Sequence, residues 1–458
     1  MEQRVFCRLV VEVKKSRGGT IRLRCAVSGI VPLFIFALST QACTDSVQVL
    51  GLGAGDATAL GGKSANGPSP GSSSLGGGTN GDPAGSGGEN TGAGGGASTL
   101  EPGPTGTKLQ VSAGDVHTCA IVDSLLYCWG ANGAGALGLG DVEGRAVPAR
   151  VGSAQDWTAV GTGDQFSCGI RGGKVSCWGH GADGQLGAGQ FSSVLAPAQI
   201  SLSGPALQIA VGQSTACAIT EGNTLWCWGA NAEGQLAQGD PFSGPGVNSA
   251  VPVQVDVGET FQSVSIGQGH ACAIRMDNTL WCWGRNPSGE IGQAEGYAAQ
   301  VRVPIQVLAP AEWKQIACGQ QHTCGIAQDD SLYCWGNNTH NQLGLSAPSP
   351  VYEPTAVPGQ TNIAQVALDT FHSCALTIAG ELSCTGRNIE GMLGDGTFEP
   401  KAAFTSSTPQ SLWDFVSVGR FHTCGVRAGA ILCAGENADG RLGVGDTTRR
   451  DIFTPTAQ

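Results

Sequence analysis

The sequence lacks three features that would have pointed to common protein classes: a basic surplus, a Cys-x-x-Cys motif and a long apolar run. Its 458 residues include 24 lysines and arginines against 36 aspartates and glutamates, which gives a net charge of −12. This balance argues against nucleic acid binding, which needs a basic surface, and the missing motif argues against a zinc site. The marked apolar run at residues 30–38 is too short to span a bilayer as an ordinary helix.

Cysteine, in contrast, is plentiful and regularly placed. Fourteen of the 18 cysteines form seven pairs, spaced nine or ten residues apart and recurring about every fifty residues. The pairs are Cys119 with Cys128, Cys168 with Cys177, Cys217 with Cys227, Cys272 with Cys282, Cys324 with Cys334, Cys374 with Cys384, and Cys424 with Cys433.

The two spacings have one geometric cause. The nine-residue pairs centre on two-residue turns such as Gly172-Gly173, and the ten-residue pairs centre on three-residue turns such as 221–223. Cysteines that face each other across a hairpin are close enough for a disulfide. We therefore predict seven cross-hairpin disulfides, and hence a protein that leaves the cytoplasm, because disulfides persist mainly in oxidising compartments.

The amino terminus supports export. Basic residues precede the apolar run at 30–38, which has the length of a signal h-region. The run is followed by Ala42-Cys43, which resembles the bacterial lipoprotein processing site, although Thr40 stands where that family usually has leucine. We predict a signal segment at 1–43 with lipidation at Cys43; soluble secretion and an uncleaved anchor are the alternatives. The expected location is the bacterial outer membrane or cell surface.

A low-complexity linker is predicted at 44–107, where glycine, serine, alanine, asparagine, threonine and proline dominate. Such a composition cannot bury enough apolar surface to offset the entropy of ordering the chain. Some 60 flexible residues have a typical reach of roughly 40–45 Å. A lipid-anchored domain would therefore stand clear of its membrane.

Residues 108–458 form one array of seven repeats, with a period typical of solenoids and propellers. Five repeats carry a proline that we expect to open a strand, at Pro148, Pro197, Pro252, Pro304 and Pro354. Tryptophan-glycine follows the second cysteine at Trp129, Trp178, Trp228, Trp283 and Trp335, whereas Thr385 and Ala434 replace the tryptophan in the last two repeats. Next comes a residue interpreted as suited to a left-handed turn, at Asn132, Gly181, Asn231, Asn286, Asn338, Asn388 and Asn437. A buried aliphatic residue is predicted at Leu137, Leu186, Leu236, Ile291, Leu343, Leu393 and Leu442.

These motifs resemble the regulator of chromosome condensation family of seven-bladed β-propellers. The strings Cys-Trp-Gly-Ala-Asn at 227–231 and Gly-Gln-Leu at 234–236 match its repeat closely. The Trp-Asp and double-glycine signatures of WD-repeat and kelch propellers do not recur in phase. The resemblance implies an all-β, seven-bladed propeller with disulfide-stapled hairpins. We expect the carboxy-terminal segment 453–456 to complete the first blade and so close the ring.

Five histidines lie two residues before the first cysteine of a repeat, at His117, His270, His322, His372 and His422. The main interpretation is a buried histidine bonded to the backbone. A metal or ligand ring and a catalytic role are the alternatives. Cys318, the unpaired cysteine of the array, is interpreted as a buried thiol that fills a mostly apolar site.

By elimination and analogy, the sequence favours a module that binds a protein or an envelope ligand. The resemblance includes an exported bacterial inhibitor that grips β-lactamases with one face of its ring. Two long insertions interpreted as inter-blade loops, 238–248 and 293–300, supply the binding-loop candidates Asp240, Phe242, Glu295 and Tyr297.

Other functions remain open as alternatives. A surface enzyme acting on polysaccharide would need gathered carboxylates, and the acidic residues are interpreted as sharing no repeat position, for example Asp164, Glu233, Glu290 and Asp439. Guanine-nucleotide exchange, known in the family, would need a cytosolic GTPase. We predict no catalytic residue, metal or cofactor, and a monomer that contacts the membrane through its lipid alone.

Overall fold

The computed structural model shows seven four-stranded antiparallel sheets, each built from one continuous stretch of chain. It describes residues 93–94, 97–98, 109–239, 246–308, 312–408 and 411–457. Helices are absent from these residues, and none of their elements could therefore cross a bilayer as a helix. The prediction of an all-β seven-bladed propeller with disulfide-stapled hairpins is confirmed. The predicted signal segment, with Cys43, lies outside the described residues.

The inner strand of each blade lines the central channel. These strands are short, largely buried, and lie next to the inner strands of the two neighbouring blades. In blade order they are Leu109–Ala113, Trp157–Thr162, Ala206–Val211, Phe261–Ile266, Trp313–Cys318, Ile363–Leu368 and Phe415–Val418. Within the predicted linker, the structure also describes one short antiparallel pair, Ala93–Gly94 with Ala97–Ser98.

The second and third strands form the hairpins that the cysteine spacing predicted. The second strands are His117–Val122, Phe166–Arg171, Thr215–Thr220, His270–Arg275, His322–Ala327, His372–Thr377 and His422–Arg427. The third strands are Leu125–Gly130, Lys174–Gly179, Thr224–Gly229, Leu280–Arg285, Leu332–Gly336, Leu382–Gly386 and Ala430–Gly435. Each predicted cysteine pair faces across its hairpin and is joined by a disulfide, with Cα atoms 4.0 to 4.1 Å apart. That separation is shorter than the ~4.5 Å of an ordinary facing pair.

The outer strand of each blade pairs with the third strand of the same blade. The outer strands are Arg145–Arg150, Val194–Gln199, Ser249–Gln254, Gln300–Gln306, Val351–Ala356, Lys401–Ser406 and Arg450–Pro455. The repeated prolines therefore lie in outer strands that end each blade, and do not open the next one. The long loops 238–248 and 293–300 accordingly connect third and outer strands within blades 3 and 4, and are not inter-blade insertions.

Ring closure differs from the sequence-based expectation. The carboxy-terminal strand Arg450–Pro455 pairs with Ala430–Gly435 in blade 7 and does not complete blade 1. Blade 1 supplies its own outer strand, Arg145–Arg150. The ring closes because the inner strands of blades 7 and 1 lie side by side, with no exchange of strands. A strand that directly follows its hairpin in the chain pairs locally, which requires no long-range connection.

The repeated asparagines organise the loops that follow the third strands, and the left-handed interpretation of them is wrong. Asn132 is buried, and its Oδ1 accepts a hydrogen bond from the N–H of Leu137 at 2.9 Å. Its Nδ2 donates to the carbonyls of Asp141 and Glu143 at 3.0 Å. The left-handed residue is instead the glycine of the Trp-Gly pair, such as Gly130, whose φ is 108°. The predicted aliphatic residues five positions after the asparagine are buried.

Tryptophan wedges hold adjacent blades together. The third-strand tryptophans of blades 1 to 5 are fully buried, and each donates its Nε1–H to a carbonyl of the preceding blade, as Trp178 does to Ala136 at 2.8 Å. The ring of Trp178 also packs against Gly138 of that blade, where an added Cβ would lie 2.7 Å from Nε1. Blades 6 and 7 lack the tryptophan. There the equivalent glycines contact Phe404 and Phe453 of the outer strands.

Candidate functional site at the channel mouth

One residue per blade surrounds one mouth of the central channel. It lies in the turn between the inner and second strands, and we call the side of the ring that carries these turns the mouth face. In blade order these residues are Asp115, Asp164, Gln213, Gln268, Gln320, Thr370 and Arg420. Side chains of one chemical class are therefore grouped in sectors: acids in blades 1 and 2, amides in blades 3 to 5, and a hydroxyl and a guanidinium in blades 6 and 7.

Close packing of backbone between blades fixes these turns. The N–H of Asp115 donates to the carbonyl of Gly163 in the next blade at 3.2 Å. A Cβ on Gly114 would lie 2.5 Å from the carbonyl oxygen of Gly163, and one on Gly163 would lie 2.5 Å from that of Gly212. Real Cβ atoms do not approach so closely, so the position requires glycine. Blade 6 is the exception, because Asp369 stands there.

Asp115 is a buried acid at the blade 7 to blade 1 junction. Its Oδ2 accepts hydrogen bonds from Arg420 Nη1 at 3.4 Å and from Gln213 Nε2 at 3.5 Å. Its carbonyl accepts a bond from Arg441 Nη1 at 2.8 Å. Burial, together with the charge of Asp164, raises the pKa of Asp115 to about 6, against the opposing effect of Arg420.

Asp369 adds a third carboxyl group to the mouth. Desolvation in the mouth, together with the charge of Asp115, raises the pKa of Asp369 well above its usual value. The hydroxyl of Thr370 donates to its Oδ1 at 2.8 Å. Three carboxyl groups thus lie at the mouth together with the guanidinium of Arg420, and the mouth can change its charge in mildly acidic solution.

An aromatic and cationic cluster flanks the mouth in blades 5 to 7. Phe371 and Phe421 stack with ring centroids 5.5 Å apart, and His340 meets Phe371 edge-on at 5.2 Å. Arg387 lies 4.9 Å from the centroid of Phe371, and Arg420 lies 5.1 Å from that of Phe421. The two phenylalanine side chains are half-buried. This combination of half-exposed aromatic rings and guanidinium groups is typical of protein-binding surfaces.

The cluster escaped sequence analysis because its residues do not repeat. Phe371 and Phe421 lie three residues before the first cysteine of their repeats, where the other repeats have no aromatic residue but Val116, Gln165, Ser214, Gly269 and Gln321. The signal that could have revealed the cluster was therefore the occurrence of two non-repeating phenylalanines at the same repeat position in neighbouring blades.

The interpretation that the acidic residues share no repeat position is also wrong in part. Four acids lie two residues after the loop asparagine or its equivalent glycine, at Asp183, Glu233, Glu390 and Asp439. Each has a partner: Asp183 with Asn248, Glu233 with Gln300, Glu390 with Arg387, and Asp439 with Arg441. These pairings give the four acids a structural role in the loops.

The repeated histidines act as latches between blades. His117 is fully buried, and its Nε2 lies 2.8 Å from the hydroxyl of Ser167 in the next blade. That hydroxyl donates to the carbonyl of Ala136 at 2.9 Å, so its oxygen accepts from Nε2–H. The histidine is thus bonded to a side chain, and the expectation of a backbone partner is corrected. Burial lowers the pKa of His117 to about 3.

Histidine and hydroxyl occur together around the ring. The bonded pairs are His117 with Ser167, His270 with Thr323, His322 with Ser373, His372 with Thr423 and His422 with Thr118. At the two remaining junctions the pairs are Phe166 with Ala216 and Thr215 with Ala271, so both partners change together. The last histidine pair joins blade 7 to blade 1.

The other predicted chemical groups are placed as follows. Cys318 is buried in the channel wall, it is the free cysteine among the described residues, and burial raises the pKa of its thiol to about 12. Within the described ranges, no group of histidine, cysteine, aspartate and glutamate side chains could hold a metal ion. Glu295 and Tyr297 are exposed in a loop on the mouth face. Asp240 and Phe242 lie outside the described residues.

Comparison with known families agrees with this architecture. The RCC1-like domain family matches residues 173–458, and the regulator of chromosome condensation (RCC1) repeat matches residues 123–170. The chain belongs to the RCC1-like domain family. Among curated relatives, the Ultraviolet-B receptor UVR8 of Arabidopsis thaliana is 30% identical over 95 residues, which are 21% of this chain and 22% of UVR8. Protein RCC2 homolog of Xenopus laevis is 33% identical over 100 residues, which are 20% of each chain.

Solved structures show the same fold. Human WBSCR16 superposes with a TM-score of 0.65 at 20% identity, covering 73% of this chain and 94% of that one. Yeast RCC1 (Prp20), in its complex with Kap60, gives a TM-score of 0.64 at 18% identity and covers 77% and 84%. The matched stretches of the curated relatives cover less than a third of their lengths. At these identities the shared feature is the propeller itself.

Proposed function

We propose that this RCC1-like propeller is a protein-binding module that receives its partner on the mouth face. The observation that carries the proposal is the cluster of Phe371, Phe421, Arg387 and Arg420 beside the carboxyl groups of the mouth. Aromatic and arginine side chains contribute most of the binding energy in typical protein interfaces. The neighbouring acids would add charge selectivity for a partner with a basic group.

The location and anchoring of the module are part of the same proposal. Seven disulfides, the basic and apolar leader and the Ala42-Cys43 site support an exported protein, lipidated at Cys43 and tethered by residues 44–107. The partner would then be a protein of the cell envelope. Two yeast studies concern protein partners of this fold, one on Kap60 bound to RCC1 (Prp20) and one on the binding of Prp20p to Gsp1p and histones.

Replacing both stacked rings should weaken partner binding. The purified propeller, as wild type and as the double variant Phe371→Ser/Phe421→Ser, is incubated with the solubilised envelope of its source cell, and bound proteins are quantified by mass spectrometry. Loss of two aromatic anchors should reduce capture of the specific partner at least about tenfold, since an anchor contributes more than ~1 kcal/mol. The matched control is Ile378→Ser, because Ile378 is 61% exposed in a hairpin turn on the opposite face.

The binding test has a clear contrary result. The proposal fails if every protein captured by the wild type is captured equally by the double variant and by Ile378→Ser. Circular dichroism and thermal unfolding of the three proteins show whether each remains folded, so that a loss of binding is not confused with a loss of structure.

Mass spectrometry of the protein from its native envelope, without reduction, tests export. We expect a mature chain that begins at diacylated Cys43, with seven disulfides that each lie within one repeat. Thiol alkylation before digestion would label Cys318 of the mature chain after denaturation, since the structure leaves it free. An unprocessed amino terminus with reduced cysteine pairs would overturn the envelope location and would leave the mouth-face proposal to be tested against cytosolic partners.

A further inference from the structure

The outer edges of the seven blades are protected unequally. Among the seven outer strands that the structure describes, six contain a proline: Pro148, Pro197, Pro252, Pro304, Pro354 and Pro455. The outer strand of blade 6, Lys401–Ser406, contains none. Proline on an edge strand removes a backbone donor that another chain could use, and proteins use it to prevent edge-to-edge pairing.

The backbone pairing shows that these prolines face outward. In blade 1 the N–H of Val151 donates inward to Leu126 at 2.8 Å, and Ala149 faces Cys128. Because N–H groups alternate in direction along an antiparallel strand, the position of Pro148 is directed away from the sheet. The same alternation applies in every blade, since the residue after each outer strand donates inward to the start of its third strand.

Blade 6 therefore keeps both of these outward donors, whereas each of the other blades has lost one of the two to proline. The N–H of Ser407 donates inward to Leu382 at 3.1 Å, and Thr405 faces Cys384. The N–H groups of Phe404 and Ser406 consequently point to solvent.

The tryptophan wedge does not account for the missing proline. Blade 6 lacks the third-strand tryptophan, and Phe404, at the proline position of the outer strand, fills the space that the tryptophan would fill. In blade 7, which also lacks the tryptophan, Phe453 does the same. Blade 7 nevertheless has Pro455 two residues later, at the next outward position. The equivalent residue in blade 6 is Ser406, so its edge is open for a reason other than core packing.

The side chains along this edge leave the backbone accessible. Ala402, Ala403, Thr405 and Ser406 are small and exposed. Lys401 is the charged residue of the strand, and its Nζ lies 2.9 Å from Asp395, which neutralises it. Charged side chains are the other common protection of edge strands, and the charged side chain of this strand is held by an ion pair at its first residue.

We propose that the outer edge of blade 6 is a docking surface for an extended, uncharged segment of a partner protein, which adds to the sheet as a fifth strand. Main-chain hydrogen bonds from Phe404 and Ser406 would supply the affinity, as in other cases of strand addition. A neutral segment fits the neutral edge. A second copy of this chain fits less well, because two molecules with a net charge of −12 repel each other. This surface is separate from the mouth-face cluster, so the failure of one proposal would not affect the other.

Photo-crosslinking in the source cell, with matched proline variants, tests the inference. A benzophenone amino acid replaces exposed Thr405 in the full-length protein, and in a second strain it replaces Thr355, the equivalent residue of blade 5. We expect a discrete heteromeric crosslink at 405 and none at 355. Adding Ser406→Pro should reduce the crosslink at least tenfold, whereas adding Ala356→Pro, at the equivalent place in blade 5, should leave it unchanged.

Each contrary outcome overturns the proposal. Absence of a crosslink at 405, equal crosslinking at 355, or persistence of the product in Ser406→Pro would show that the edge takes no partner strand. A product with the mass of two copies of this chain would show that the edge pairs with a second copy of the chain and not with a partner protein. Since Ser406 is exposed and its N–H faces solvent, Ser406→Pro should remain folded, which thermal unfolding of the purified variant would verify.

Discussion

Acidification from pH 6.5 toward pH 4 is expected to unfold this propeller steeply, because its five latch histidines are buried in the neutral form. Burial lowers the pKa of His117, His270, His322 and His372 to about 3, and that of His422 also lies well below 6.5. Above pH 6.5 neither state binds a proton at these rings. Below it the unfolded chain binds protons that the folded ring excludes, so the free energy of unfolding falls until the pH nears the folded pKa. Each histidine contributes up to ~1.4 kcal/mol per pH unit.

Two acids at the mouth act in the opposite direction. The pKa of Asp115 is raised to about 6 and that of Asp369 is also raised, so the folded state binds their protons before the unfolded state does. Between about pH 6 and pH 4 these two groups therefore add stability as the pH falls. Burial also raises the pKa of Glu290, but five histidines still outnumber three carboxyl groups, and the net effect of acid is destabilisation.

Urea unfolding between pH 7.5 and pH 4, with the disulfides intact, measures this dependence. The ring supplies its own control, because one junction replaces the latch by Phe166 and Ala216. The double variant His322→Phe/Ser373→Ala copies that junction. It should unfold like the wild type at pH 7.5 to within about 1–2 kcal/mol, and its stability should depend on pH more weakly by about one proton, ~1.4 kcal/mol per pH unit. An unchanged pH slope would mean that His322 is not held neutral.

The number of blades and the hairpins could be predicted from the sequence because one physical constraint fixes both. Two cysteines can be joined across a hairpin only if each is equally distant from the turn, so the nine- and ten-residue spacings encode the turn lengths. In the structure Cys168 faces Cys177 around Gly172-Gly173, as expected. Seven such pairs then define seven blades.

The phase of the repeat could not be predicted in the same way. A periodic sequence looks alike whether Pro148 opens one unit or ends the previous one, and the spacing alone does not choose between them. The order of neighbouring blades was instead encoded in the histidine and hydroxyl residues, which occur together at one blade junction and are replaced together at another. His422 needs a hydroxyl in the next blade, and Thr118 is the one that remains, which places blade 7 beside blade 1 without any exchange of strands.

The mouth cluster and the open edge were missed for a different reason. Residues that recur in a propeller sequence build its core, so a repeat pattern reveals the core and not the site. Phe371, Phe421 and Ser406 are departures from the repeat, and their positions become meaningful only when the fold brings neighbouring blades together.

Removing the phenylalanine wedge of blade 7 should be among the most destabilising single changes in the ring. Phe453 is 7% exposed, packs on Trp413 at 4.6 Å, and fills the space against Gly394 that tryptophan fills in blades 1 to 5. Phe453→Ala leaves a cavity that the rigid hairpins cannot close, and we expect a loss of about 3–5 kcal/mol in the free energy of unfolding. Urea unfolding without reductant measures it.

A compensating exchange separates this wedge role from a general loss of apolar surface. Ala434→Trp alone would place an indole where the Phe453 ring already lies, and such overpacking should cost about 1–3 kcal/mol. The double variant Ala434→Trp/Phe453→Pro reproduces the combination found in blades 1 to 5. It should be more stable than either Phe453→Ala or Ala434→Trp, because one aromatic ring again fills one space. The stability that the double variant loses could instead equal the sum of the losses caused by Ala434→Trp and by Phe453→Pro. In that case Phe453 and the tryptophans of the other blades would not occupy equivalent sites.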